Sequence, residues 1–498
     1  AVTASSPITL TQMNLQMTGT TAISDVSNID VYYMGTSYRY NPATGTIFGS
    51  ATPAAGNIAI NGSQSLSVGT HYFYVAYDVS NTAVEGNLLD VKVNSVVAGG
   101  NTVVPTDVTG SRTILLSQAR LARCGDDGSK FYRIPAITTC PDGSLLTAYD
   151  KRWNNGEDLG VTPTNSIDIV SRRSTDGGKT WSAPVTVAGN HSTYSYTDPC
   201  FITDYQTGKI FCLMACGTVR FSTSTAANPI RIYVVESTDN GQTWINGREI
   251  TNSIYGSGCA DATRRTWMAG VVCPGSGIQM SNGRLATAIQ TKYSDALIHD
   301  NIIYSDDHGI TWTCFNGDAF SGGGGNEAQI VESATTPGKI IMSIRHATNR
   351  YFNTSTNYGS TWGTPAAETE ITEPGCNADI ARLTTIAGGS DKNRLVHSIP
   401  FDASIRTNIS VLLSNDDGNN WPYRKVIYPG MGNTSIGSAY STLCVLPDNT
   451  IGLIYELSDT IPFNAAWAWP YEQIHFVRFS LSWLTGGAES LCQPTGFT

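Results

Sequence analysis

One eight-residue pattern returns five times after residue 170, and it dictates what such a chain can fold into. Ser-x-Asp-x-Gly-x-x-Trp is spelled by Ser174–Trp181, Ser237–Trp244, Ser305–Trp312 and Ser414–Trp421, while Ser355–Trp362 keeps the frame with Asn357 in the Asp position. Asp or Asn bonds backbone N–H groups of its own turn, Gly permits positive φ, and Trp buries a large ring against a neighbouring hairpin. The copies recur at roughly 50 to 70 residues, which is room for a four-stranded sheet and its loops. Asp-rich, Gly-containing turns also bind calcium, but the regular series of oxygen ligands and the closing Glu are missing here. The boxes therefore read as structural, and some 380 residues of such repeats fit about six blades.

The first hundred residues carry a different signal. Ile8-Thr9-Leu10-Thr11, Ile29-Asp30-Val31-Tyr32-Tyr33 and His71-Tyr72-Phe73-Tyr74-Val75 alternate or run apolar in short stretches, the pattern of a small antiparallel sandwich. A Gly-, Thr- and Val-rich stretch then runs from Val96 to Gly110. The expected fold class is all-β, a six-bladed β-propeller over 118–498 preceded by a small N-terminal β-sandwich over 1–105, with a linker at 106–117. The 49 Gly, 21 Pro and only 14% charged residues suit many short strands joined by tight turns. Tyr32, Tyr33, Tyr38 and Tyr40 either stack on sugar rings, making the sandwich a carbohydrate-binding module, or are ordinary strand aromatics.

Charge excludes one class of partner. A formal net charge of -10 disfavours nucleic acid, whose affinity for proteins comes from Lys and Arg neutralising phosphates. Eleven Cys at scattered positions match neither a dense disulfide framework nor a zinc site; Cys200, Cys212 and Cys216 lie near one another in sequence but lack His partners. Buried thiols or one or two disulfides are expected, with no metal. No stretch approaches the roughly 18 apolar residues of a membrane helix. No Ser sits in a G-x-S-x-G elbow and His residues suggest no triad, so serine-type hydrolysis is not supported.

The boxes resemble the Asp-boxes of sialidases, though these occur in other propellers too. Phe131-Tyr132-Arg133-Ile134-Pro135 resembles the FRIP or YRIP motif that precedes the first box in that family. Two further arginines stand where the family places them: Arg345 in Met342-Ser343-Ile344-Arg345, and Arg406 before Ile409-Ser410-Val411-Leu412-Leu413. The chemistry agrees, because sialic acid carries a carboxylate on its anomeric carbon and Arg offers a planar fork for bidentate bonding. Asn326-Glu327-Ala328-Gln329-Ile330-Val331-Glu332 resembles the family's NExQxVE segment, which implies that Glu327 is the base. Gly437-Ser438-Ala439-Tyr440-Ser441-Thr442-Leu443 resembles its late tyrosine motif, which implies that Tyr440 is the nucleophile. A neutral phenol avoids the repulsion that a carboxylate nucleophile would meet beside the substrate carboxylate, and its high pKa requires an adjacent base. Sialidases are an exception to the usual two-carboxylate glycosidase.

A general acid must also protonate the departing sugar oxygen. The family draws it from the loop between the first arginine and the first box, here Asp150 to Gly160, and Asp158 is the choice; Asp150 and Glu157 are alternatives, because Val161-Thr162-Pro163-Thr164 lengthens the loop. Asp168 reads as a strand residue. Tyr196-Thr197-Asp198-Pro199 resembles the segment whose Asp contacts the N-acyl and neighbouring groups of the sugar, and Arg152 and Gln290 look like further pocket members. The resemblance thus implies an exo-α-sialidase without cofactor, acting on sialylated glycans of mucins, glycoproteins or gangliosides. Transfer to another acceptor, or sialic-acid binding without catalysis, are the alternatives. Secreted, periplasmic or cell-surface placement is an expectation from that substrate class and from a chain starting at Ala1 without a signal peptide.

Overall fold

The computed structural model describes all residues except 38–44, 108–109, 163, 296, 430–436, 459–472 and 492–498. Tyr38, Tyr40, Pro163 and Cys492 lie outside the described residues. The chain divides into two compact units, Ala1–Leu116 and Ser117–Thr498.

In the first unit a four-stranded sheet of Ile8–Gln16, Asn57–Leu66, Lys92–Ala98 and Asn101–Val103 accompanies a three-stranded sheet of Val26–Tyr33, Thr46–Ala51 and Phe73–Val79. Alternation decides which face is buried. Leu10, Leu15, Ile29, Val31 and Ile60 are fully inside one core cluster. Tyr33 packs against that core, its ring 5.0 Å from Phe73 and its hydroxyl 2.7 Å from His71 Nδ1. The stretch expected as a linker contains the short strand Arg112–Thr113, paired with Leu88–Leu89, so the first unit extends to Leu116.

The second unit is a β-propeller. Its described strands form six sheets taken in chain order, antiparallel but for the short parallel pairing of Gly275–Ser276 with Ser195–Asp204, four of them four-stranded, and one holds both early and late chain: Ser117–Arg123 pairs with Gln473–Phe479, beside Ile451–Leu457 and Ser438–Val445. Strands such as Phe131–Thr139 and Lys209–Gly217 are buried on both faces and read as apolar runs.

Each box repeats one hydrogen-bond set. In the first, Ser174 Oγ donates to Asp176 Oδ1 at 2.8 Å and accepts from Gly178 N at 2.9 Å, while Asp176 accepts from Thr180 N at 2.9 Å. Asn357 substitutes for Asp without loss: Ser355 Oγ lies 2.9 Å from Asn357 Oδ1, which accepts from Thr361 N at 2.9 Å. Glycine is required for two reasons at Gly178 and Gly309: φ is +87° and +79°, and a Cβ would fall 2.0 Å from Phe476 and 2.2 Å from Phe211. Those rings belong to the preceding sheet, so the turn is also the joint between sheets. Trp181 lies 5.1 Å from Phe476, and Trp312 lies 5.8 Å from Phe211.

The ten described cysteines are all buried and free of disulfides. Among the described residues no helix is long and apolar enough to cross a membrane.

Candidate active site

Three strands break their ladder at one end of the propeller. Register shifts fall between Arg133 and Ala136, between Thr197 and Cys200, and between Ser438 and Ser441. Irregularities of this kind re-aim side chains and cluster at functional sites. Ile134 and Asp198 sit there at φ of +56° and +61°, and a left-handed β-branched residue persists only where its surroundings hold it. For Ile134 the hold is visible: its N–H donates to Glu456 Oε1 at 2.8 Å.

Around these bulges most of the sequence candidates meet. Tyr440 is 7% exposed, and its hydroxyl donates to Glu327 Oε1 at 2.6 Å. Arg345 Nη1 donates to Tyr440 Oη at 3.0 Å and also to Glu327 Oε2. Arg133 and Arg406 hold their guanidinium carbons 5.2 and 5.4 Å from the centroid of the Tyr440 ring. Three cations therefore converge on one phenol. This is the local positive focus that a chain of net charge -10 does not otherwise supply.

The acid loop joins the same cluster. Asp158 Oδ1 accepts from Arg152 Nη1 at 2.9 Å and lies 3.7 Å from Arg133 Nη1, with its side chain 65% exposed. Asp150, by contrast, is fully buried and saturated: it accepts from Arg152 Nε at 3.1 Å and Nη2 at 2.8 Å, from Thr197 Oγ1 at 2.6 Å and from Asp198 N at 3.1 Å. Asp168 accepts from Trp153 Nε1 at 2.8 Å and from His191 N, and so ties the loop base to its neighbour. Glu157 accepts from Thr162 Oγ1 within the loop. Gln290 lies on Leu285–Lys292 opposite Asp300, and among the described residues its side chain makes no hydrogen bond to this cluster.

Electrostatics separates the groups. Loss of solvation pushes the Tyr440 phenol well above its usual range and the Glu327 charge adds to this, against the opposing pull of Arg345, Arg406 and Arg133. Asp198 is pushed well up by burial and by the charges of Asp150, Asp158 and Glu327. Asp150 rises to about 6, burial outweighing Arg152 and the Thr197 bond. At Asp158 loss of solvation acts upward, yet Arg152, Arg133 and Arg406 outweigh it and hold the carboxyl below the usual carboxylate range.

Glu456 is the residue that sequence reasoning missed. It is fully buried on Ile451–Leu457 and grips Arg133 in a fork, Nε to Oε1 at 3.1 Å and Nη2 to Oε2 at 3.3 Å. A lone Glu inside the apolar run Ile451-Gly452-Leu453-Ile454-Tyr455-Glu456-Leu457 was the available signal, because a buried carboxylate that stays charged needs a cationic partner.

Residues 160–454 match a domain family described as a BNR repeat-like domain, and residues 1–102 match the N-terminal domain of BNR-repeat neuraminidase. The chain belongs to the BNR-repeat neuraminidase, or sialidase, family. Among its curated relatives in that family, a sialidase of Clostridium perfringens is 30% identical over 364 residues, which are 68% of this chain and 88% of the relative. A sialidase of Micromonospora viridifaciens is 31% identical over 400 residues, 76% of this chain; the chain spans 55% of that relative's length. The solved Hadza microbial sialidase Hz136 superposes with a TM-score of 0.70 at 25% identity, covering 97% of this chain and 94% of its own.

Proposed function

We propose that this chain is an exo-α-sialidase that releases terminal sialic acids from mucins, glycoproteins, gangliosides or oligosaccharides outside the cytoplasm, retaining anomeric configuration through a Tyr440 nucleophile. The observation that carries this reading is the Tyr440 hydroxyl donating to Glu327 at 2.6 Å beneath three arginines. Arg133, Arg345 and Arg406 take the substrate carboxylate, and each charge-assisted bond contributes about 1.5–3 kcal/mol. Tyr440 Oη then attacks the anomeric carbon while Glu327 accepts its proton, so the nucleophile never has to exist free as a phenolate.

Asp158 needs its proton only once substrate is present. In the free site the arginines keep it ionised. A bound carboxylate neutralises Arg133 and Arg406, removes part of that pull and lets Asp158 carry the proton that the leaving oxygen takes as its bond to carbon breaks. Asp158 next takes a proton from water, whose oxygen attacks the sialyl-tyrosine; the Tyr440–carbon bond breaks and Glu327 returns the proton to the phenol. Two inversions give retention. Asp198 and Arg152 face the N-acyl side of the sugar in this reading, and Gln290 is a more distant pocket member.

Turnover of a fluorogenic sialoside by wild type, Tyr440→Phe and Glu327→Gln tests the proposal. Wild type is expected to release free sialic acid as its α-anomer first, and both variants to lose about 10²-fold or more in kcat. Absence of turnover across about pH 4 to 8 would overturn it. Sialic acid appearing in an intramolecular anhydro form or on an added sugar would replace water as the acceptor and leave the first step standing.

A further inference from the structure

Arg350 and Glu373 form an ion pair in which both side chains are fully buried, Nη1 to Oε2 at 3.2 Å. Neither has a part in the chemistry above. Desolvating two charges costs several kcal/mol, and an apolar pair of the same volume commonly does as well for stability, so the pair calls for another reason.

Its hydrogen bonds supply one. Arg345 and His346 are the two residues between the strands Ile340–Ile344 and Ala347–Ser355. Glu373 Oε1 accepts from His346 N, directly after Arg345. Arg350 grips the other side of the same turn, with Nε donating to Ser343 Oγ at 2.9 Å and Nη2 to Ser343 O at 3.1 Å. Its Nη1 also donates to Cys376 O at 3.1 Å. The adjoining carbonyl, Gly375 O, accepts from Arg406 Nη2 at 3.1 Å. One pair thus fixes the chain on both sides of Arg345 and the peptide that receives Arg406.

We infer that the Arg350–Glu373 pair is a positioning device that sets Arg345 and Arg406 at the spacing a single carboxylate requires, and so governs selection of the substrate's anionic group. The inference rests on the function proposed above. Binding sites of this kind tolerate errors of only about 0.5 Å, and this pair bonds both the turn that carries Arg345 and the peptide that receives the Arg406 side chain. Arg133 is held separately by Glu456, and the contacts expected for the rest of the sugar, Asp198 and Arg152, come from other sheets. Misplacing Arg345 and Arg406 therefore weakens carboxylate recognition selectively.

The test is competitive inhibition of the full chain by a 2,3-dehydro sialic acid analogue and by its carboxamide, which keeps the ring and loses the charge. Wild type should prefer the carboxylate. In Arg350→Lys and Glu373→Gln that preference should fall about tenfold or more, with KM raised more than kcat is lowered and carboxamide affinity within about twofold of wild type. Glu373→Gln strands the buried Arg350 charge, whereas Arg350→Lys keeps the charge and loses the fork; if neither folds, Arg350→Met/Glu373→Gln, which carries no charge there, reads the same ratio. An unchanged preference in any folded variant, or an equal loss for both inhibitors, would overturn the inference. Wild type showing no turnover and no carboxylate preference would remove the proposed function itself, whereas wild-type preference with an unchanged variant ratio removes only the positioning role.

Discussion

Asp379 offers a stability prediction whose size can be worked from the structure. It lies on Asp379–Thr384, 1% exposed, and accepts from Leu443 N at 2.7 Å, Ile380 N at 2.9 Å and Ser276 Oγ at 3.2 Å. Burial nevertheless prevails over these bonds and lifts the carboxyl from 3.8 to about 7. A native pKa above the unfolded one means that the folded state keeps its proton after the unfolded chain has released it. The stabilisation is fully present below the unfolded pKa and is lost as pH rises through about 7. Three units at 1.36 kcal/mol each make the loss about 4 kcal/mol, with a slope of about 1.4 kcal/mol per pH unit in the middle of the window. Asp379→Asn removes the titration. It also turns an amide N–H toward a backbone N–H, which lowers stability by about 1–3 kcal/mol at every pH. The diagnostic is therefore the slope: denaturant unfolding followed by Trp fluorescence from about pH 4 to 8 should show the wild-type curve falling toward the variant's, meeting it and crossing below it as pH rises. Parallel curves across that range would refute the reasoning, because Asp379 would then titrate as it does in the unfolded chain.

Three further outcomes follow from the site and the boxes. Asp158→Asn should lower kcat by about 10²–10⁴ on natural sialosides and far less on activated aryl sialosides, which need little protonation; equal losses in the two assays would take the acid role from Asp158. Glu456→Gln leaves the Arg133 charge buried without its fork, so unfolding free energy should drop by about 3–5 kcal/mol and KM should rise about tenfold, measured by denaturant titration and initial rates; an unaltered KM would show that Arg133 keeps its place unaided. Asp239→Ala breaks the bonds to Thr243 N and Oγ1 in the second box and should cost about 1–2 kcal/mol of stability with kcat and KM unchanged.

The sequence carried the scaffold because the box residues act locally. Gly178 and Gly309 need positive φ within their own turns, and Asp176 or Asn357 bonds a residue four positions away, so fold and pattern share one length scale. Arg133, Arg345, Arg406, Glu327 and Tyr440 were legible through motif context, and the structure brings all five to one place. Glu456 was legible only as a lone Glu in an apolar run, because its partner Arg133 lies 323 positions earlier and nothing near it in sequence names that partner. Asp150 stayed an alternative acid until its four bonds became visible: a carboxyl already accepting from Arg152, Thr197 and Asp198 has no free edge for a leaving group. Arg350 and Glu373 are illegible for a similar reason, since in sequence each reads as an ordinary charge on a strand and only the fold buries both.

The sheet that joins Ser117–Arg123 to Gln473–Phe479 has a consequence for how the protein comes into being. Ser438–Val445 and Ile451–Leu457 belong to that sheet, and they bring Tyr440 and Glu456 to arginines synthesised up to 323 residues before. A growing chain can lay down the earlier sheets one after another, yet through most of its synthesis Arg133 lacks the Glu456 fork and the cluster lacks the Tyr440 phenol. On the role proposed for Tyr440, fragments that stop short of Ser438 are expected to be inert instead of partly active, with the capacity to cut a glycan arriving only when the last strands join the sheet.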